Sequence, residues 1–158
     1  VSIERTALPG RKVTVTANVE GGRRILTIPL YIYSSETHPL VGVWTEMTRF
    51  SCKSGNEIST GEAIRELIFR ADGTMFVTRL PFEIYHDYIA EYGFELERRT
   101  ISFTVELANA RPMNVDGDGR FRVTEDGVLV LKKLSLGRFS DVEKKACRYE
   151  FKRSGIEH

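Results

Sequence analysis

The chain has 158 residues, 41% of them hydrophobic and 28% charged, and its formal net charge is +1. That length supports one packed core without a metal or several cross-links. The charge balance favours neither nucleic acid nor an anionic membrane surface as a partner, and no apolar run approaches the ~20 residues of a membrane-spanning helix.

Apolar and polar residues alternate with a period of two, and turn signals recur roughly every ten residues, the pattern of an all-β protein. "KVTVTANV" (12–19) sets Val13, Val15, Ala17 and Val19 on one face. "EGG" (20–22) is a turn, and "RRILTIPLYIY" (23–33) runs back, with Pro29 marking an edge or a bulge. These segments predict an N-terminal β-hairpin extension over residues 1–37. No secretory leader pattern is visible, and the chain begins at Val1 without a methionine, as either a processed start or a boundary cut within a longer chain would.

Residues 38–158 then read as a meander. "VGVWTEMTRFSC" (41–52) is a strand and "KSGNEISTGE" (53–62) a polar loop. "AIRELIFR" (63–70) and "TMFVTRL" (74–80) form a hairpin around "ADG" (71–73). "FEIYHDYIAEYGFEL" (82–96) holds one bent strand or two short ones, and "TISFTVEL" (100–107) follows. "NARPMNVDGDG" (109–119) is a loop, and "RFRV" (120–123) and "VLVLKKL" (128–134) make another hairpin. "SLGRFSDVEKKA" (135–146) is a loop with one helical turn at 140–146, and "CRYEFKR" (147–153) is the last strand. Sequential antiparallel strands in this number close into a barrel or fold into a sandwich. Closure removes exposed edges. The expected fold is therefore an up-and-down antiparallel β-barrel of about eight strands, in which the first and last strands are neighbours.

The two cysteines bear on that closure. With strand 41–52 antiparallel to 147–153 and Cys52 facing Cys147, Trp44 falls opposite position 155, and Arg153 is its diagonal neighbour. Cys52, Phe50, Thr48 and Trp44 then share one face, as do Cys147, Tyr149, Phe151 and Arg153. In this register Glu46 points inward and Met47 outward, so either a bulge corrects the strand or Glu46 is a genuine interior group. A Cys52–Cys147 disulfide would close a loop of roughly 95 residues, worth about 4–5 kcal/mol by chain-entropy estimates. It would place the protein in a periplasm or outside the cell. Two reduced, buried thiols in a cytoplasmic protein are the other reading.

Gly42-x-Trp44 on the first barrel strand, with a basic residue ending the last, resembles the lipocalins and the wider calycin superfamily. "HPLVGVW", "IRELIFRADGTM" and "YGFELERRTISF" are similar to small bacterial lipocalin-like domains of uncharacterised function. The resemblance spans about residues 38–153. It implies that Trp44 sits at the closed end of the barrel, with Arg153 packed across it.

Other motifs point to chemistry less strongly. "NVDGDGRFRVTE" (114–125) has the spacing of a calcium loop, but β-type sequence and Pro112 flank it where an EF-hand has helices. A turn in which Gly117 and Gly119 supply positive φ accounts for it more simply. His86 and Asp87 are strand neighbours on opposite faces and cannot pair. No metal-ligand spacing, phosphate loop or nucleophile with a base is evident, so no cofactor, metal or catalytic residue is assigned.

The aromatics are spread over nearly every strand. They either line an interior cavity or fill it. The predicted ligand-binding set is Trp44, Glu46, Phe69, Phe76, Tyr85, Phe94, Phe103, Tyr149 and Arg153, with Glu66 as a further polar candidate. The function expected from it is non-enzymatic binding of a small apolar or amphipathic molecule. The alternative is a structural or protein-interaction module, a homodimer through the N-terminal hairpin, with an empty or filled barrel.

Overall fold

A computed structural model of the chain describes residues 12–18, 25–59, 61–79 and 86–154. It forms two compact units divided between Pro39 and Leu40. In the first, β1 (Lys12–Asn18) and β2 (Ile25–Tyr31) pair antiparallel in unbroken register, with Pro29 opposite Thr14. Val19, the turn at 20–22, Tyr85 and the start of the segment 82–96 lie outside the described residues.

The second unit is a closed eight-stranded antiparallel barrel with no helix among the described residues. Its strands are β3 (Gly42–Ser51), β4 (Ile64–Phe69), β5 (Thr74–Arg79), β6 (His86–Glu95) and β7 (Thr100–Ala108), then β9 (Gly119–Val123), β10 (Val128–Lys132) and β12 (Ala146–Arg153). The first and last of these pair and close the sheet. Two short strands, β8 (Met113–Asp116) and β11 (Ser135–Arg138), pair with each other and stand outside the barrel sheet. The sequence reading had put both in loops. Each is only four residues long, too short for alternation to register, and their partnership is long-range.

The seam departs from simple register in two places. Trp44 pairs directly with Arg153, whereas Phe50 pairs with Arg148 and Ser51 with Ala146. Met47 is an extra residue on β3, and Cys147 an extra residue on β12. Each bulge moves the strand by one position, and in a period-two structure one position exchanges the faces. Trp44 and Glu46 therefore face inward, Met47 is exposed, and beyond it Arg49 takes the inner face. The expected inward placement of Phe50 and Thr48 fails for this reason. Phe50 instead lies under the Arg148 guanidinium on the outside, at 4.4 Å.

Cys52 and Cys147 form a disulfide with their Cα atoms 4.8 Å apart. It lies at the surface, since Cys52 is exposed and Cys147 half-buried. The bulge at Cys147 takes that residue out of the ladder and presents it to Cys52, one position past the end of β3. Such a bond is consistent with an oxidising compartment.

Gly117 and Gly119 do not adopt positive φ, unlike Gly127 in the following turn. Space is what they supply. A Cβ on Gly117 would fall on the Phe103 carbonyl oxygen, and one on Gly119 would come within 2.6 Å of the Lys132 carbonyl oxygen. The expected helical turn at 140–146 is absent. So short a segment pays the nucleation penalty of a helix for few hydrogen bonds. Arg138 gathers its carbonyls instead, donating to Ser140, Asp141 and Glu143 at 2.7–3.1 Å.

Candidate functional site

One end of the barrel is closed by Trp44. Its Nε1–H donates to the Leu40 carbonyl at 2.7 Å, which satisfies the only polar atom of a fully buried ring. The Arg153 guanidinium lies 4.7 Å above the ring, and its Nη2 donates to the Val41 carbonyl at 3.3 Å. Gly42, with φ of +145°, sits in ordinary contact with that guanidinium.

The middle of the barrel is filled. Trp44, Leu67, Met75, Val77, Leu129 and Phe151 are each 0% exposed. A chamber large enough for one water molecule would expose part of the side chains that line it. Phe69 and Tyr149 belong to the same packed cluster, as does Phe103 at its edge, and Phe94 packs against it from the rim. The aromatic set thus fills this interior rather than lining an open one, as interior side chains do in small barrels. Phe76 is elsewhere: it alternates with the inward Met75 and Val77, faces outward and lies under Arg70, 4.5 Å from its guanidinium. Glu66 also turns away from the core, half-buried beside the inward Leu67.

The opposite end of the barrel is sealed by charge. Arg49 Nε is 2.7 Å from Glu46 Oε1, and its Nη1 is 2.8 Å from Glu143 Oε1. Arg79, fully buried, lies 3.5 Å from the same Glu143 oxygen and donates to the carbonyls of Glu62, Leu136 and Gly137. Two tyrosines fix β11 across this end. Tyr88 donates to the Leu136 carbonyl and Tyr149 accepts from the Leu136 N–H, each at 3.1 Å. Burial raises the pKa of both phenols, so they act here as neutral hydrogen-bonding groups. At the rim, His86 Nδ1 meets Glu62 Oε2 at 2.7 Å and its ring stacks on Phe139.

Glu46 is the inward carboxylate expected from the sequence. Burial raises its pKa, opposed by Arg49 and by the Ile64 N–H that it accepts at 2.6 Å. A raised carboxyl pKa means that the folded state binds its proton more tightly than the unfolded chain does. The stabilisation this gives is present in full below the ordinary value of 4.5 and is lost as pH rises through the folded value. Glu46→Gln removes this dependence. Urea denaturation at pH 4 and pH 7 is expected to show the variant gaining on the wild type at the higher pH; a gap that moves the other way would contradict the assignment.

The open space lies outside the barrel. β7 pairs along its length with β6, but on its other side it pairs with β9 only at Thr100 and Ile101. One further bond, Phe103 N–H to the Gly117 carbonyl at 3.1 Å, ends that seam. The chain then turns away into β8, whose partner is β11. A groove of about 640 Å³ is left between β7 and β8, lined by Val105, Glu106, Leu107, Arg111, Pro112 and Val115 among others. Of the predicted ligand-binding residues that are described, only Phe103 reaches it.

The calcium-loop pattern is dispersed over β8, β9 and the turn that follows. With its amide oxygen toward Arg138, Asn114 accepts from Nε at 2.9 Å, and Asp116 lies 4.0 Å from Lys145. No group of three or more His, Cys, Asp or Glu side chains that could hold a metal ion occurs among the described residues.

Sequence reasoning missed Arg49, Arg79 and Glu143, because polar residues on a half-buried strand read as its outer face and a charged residue in the loop before β12 reads as solvated. Arg79 carried a usable signal, since it continues the inward series of Met75 and Val77. Arg49 was concealed by the bulge at Met47. Comparison with protein-family models, curated proteins and solved structures returns no match.

Proposed function

We propose that the chain is a non-enzymatic binding module on a calycin-like barrel, and that it takes an apolar or amphipathic ligand in the groove beside β7. The Gly42, Trp44 and Arg153 arrangement supports the calycin-like reading. The observation that carries the binding site is the groove itself: about 640 Å³ of space beside the exposed Leu107, while the barrel interior is packed. Ligand pockets of this size class bury apolar surface around a few orienting polar groups, and Glu106 and Arg111 are those groups here. The disulfide favours a periplasmic or extracellular setting for this role.

Titration with the dye 8-anilinonaphthalene-1-sulfonate tests the reading. Leu107→Ser is expected to weaken dye binding about tenfold, the worth of one buried leucine contact. The emission of Trp44, buried at the barrel end, is expected to stay unchanged throughout. Dye binding that ignores Leu107 and shifts the Trp44 emission would move the ligand into the barrel and overturn the groove.

A further inference from the structure

The groove has features that a pocket for a compact small molecule does not need. One wall is a strand edge. From Phe103, whose N–H meets Gly117, the two-residue alternation of a strand turns the Val105 N–H to the same, now open, side. Thr104–Ala108 has no strand beside it there among the described residues. On the β6 side Val105 pairs with Ala90 and Leu107 with Ile89, so Glu106 is the extra residue of a bulge. Leu107 is left 66% exposed, with Val105 half-buried beside it. Unpaired edges of this kind accept a further strand.

The groove also has ends. The connection 109–112 closes one, and the bond from Phe103 to Gly117 closes the other. Five edge residues span about 17 Å, room for a short extended segment. A second copy fits poorly, because a two-fold pairing of β7 edges sets Glu106 against its own counterpart. Arg111 stands at the connection end, exposed and without an ion-pair partner among the described residues. A guanidinium at the closed end of a strand-accepting groove suits a terminal carboxylate, which it can bind with two parallel hydrogen bonds.

We infer that the groove receives the carboxyl-terminal end of an extended apolar peptide, which adds as a strand alongside β7 and is held at its carboxylate by Arg111. This rests on the groove reading above and names its ligand. The peptide runs parallel to β7. It accepts from the Val105 N–H, lays apolar side chains on Leu107 and Val115, and carries no acidic residue opposite Glu106.

The test is selection from a library of random octapeptides displayed with free carboxyl termini, using the full chain as bait and Leu107→Lys as the counter-selection. Selected sequences are then made as acids and as C-terminal amides. The inference expects apolar ends, amide-resonance changes at Thr104–Ala108 and slowed exchange of the Val105 N–H. Amidation and Arg111→Glu should each weaken binding at least about tenfold, the worth of a charge-assisted contact, with thermal stability unchanged. Equal binding of acid and amide, indifference to Arg111→Glu, or no enrichment would overturn it. If the dye still binds through Leu107 in that case, the groove reading stands and the peptide falls; if the dye does not bind there either, both fall.

Discussion

Replacing Cys52 and Cys147 together with serine is expected to lower the stability of the barrel by about 4–5 kcal/mol, equivalent to a fall of roughly 10–20 °C in Tm. The bond joins residues 95 positions apart. Its loss returns nearly the full loop-closure entropy of the barrel to the unfolded chain. It also sits where the sheet closes, across the pairing of β3 with β12. That pairing has the longest sequence separation of the barrel's strand pairs, so it gains least from local folding. Urea denaturation of the oxidised wild type, the reduced wild type and the double variant measures the effect. Reduced protein and variant should agree. A loss below about 1 kcal/mol in both would show that the hydrogen-bonded seam closes the barrel without help from the bridge.

Glu143→Ala is expected to be nearly as damaging, at about 3–5 kcal/mol, because it leaves the Arg49 and Arg79 guanidiniums at the sealed end without their shared counter-ion. Arg79 keeps three carbonyl acceptors, but none of them is charged. Arg49 keeps Glu46. The damage should be local as well as global. Glu143 accepts from the Phe139 N–H, and its loss is expected to speed amide exchange through 139–146 before the rest of the barrel opens. Replacing Glu46, Arg49, Arg79 and Glu143 together with methionine should cost less than Glu143→Ala alone, since a buried ion cluster is dear to break and much less so to remove whole. Chemical denaturation of the two proteins decides it. If the single variant loses under about 1 kcal/mol, water reaches the guanidiniums and this end is open rather than sealed.

Both experiments concern contacts of very different visibility in the sequence. The cysteines are two in number, and strand alternation places them at the end of one predicted strand and the start of another. Their pairing could be inferred. The charged cluster could not, because Arg49 and Glu143 are 94 positions apart and nothing local to either distinguishes it from a solvated surface charge. The groove was equally hidden. Its existence depends on β8 leaving β7 for β11, a choice between partners that neither four-residue segment encodes alone.

What the sequence determined by itself is the class of fold: alternation of period two, turns at regular spacing, and a tryptophan strand able to meet the last strand. These are local properties, since side-chain direction along a strand follows from backbone geometry alone. Tertiary structure decided which face each residue finally took. The single extra residues at Met47 and Cys147 exchange inside for outside over the positions between them, bringing Arg49 in and turning Phe50 out. They are set by the fit between two strands remote in sequence, one of them bent toward a disulfide. Register is a property of the pair, and no single strand carries it.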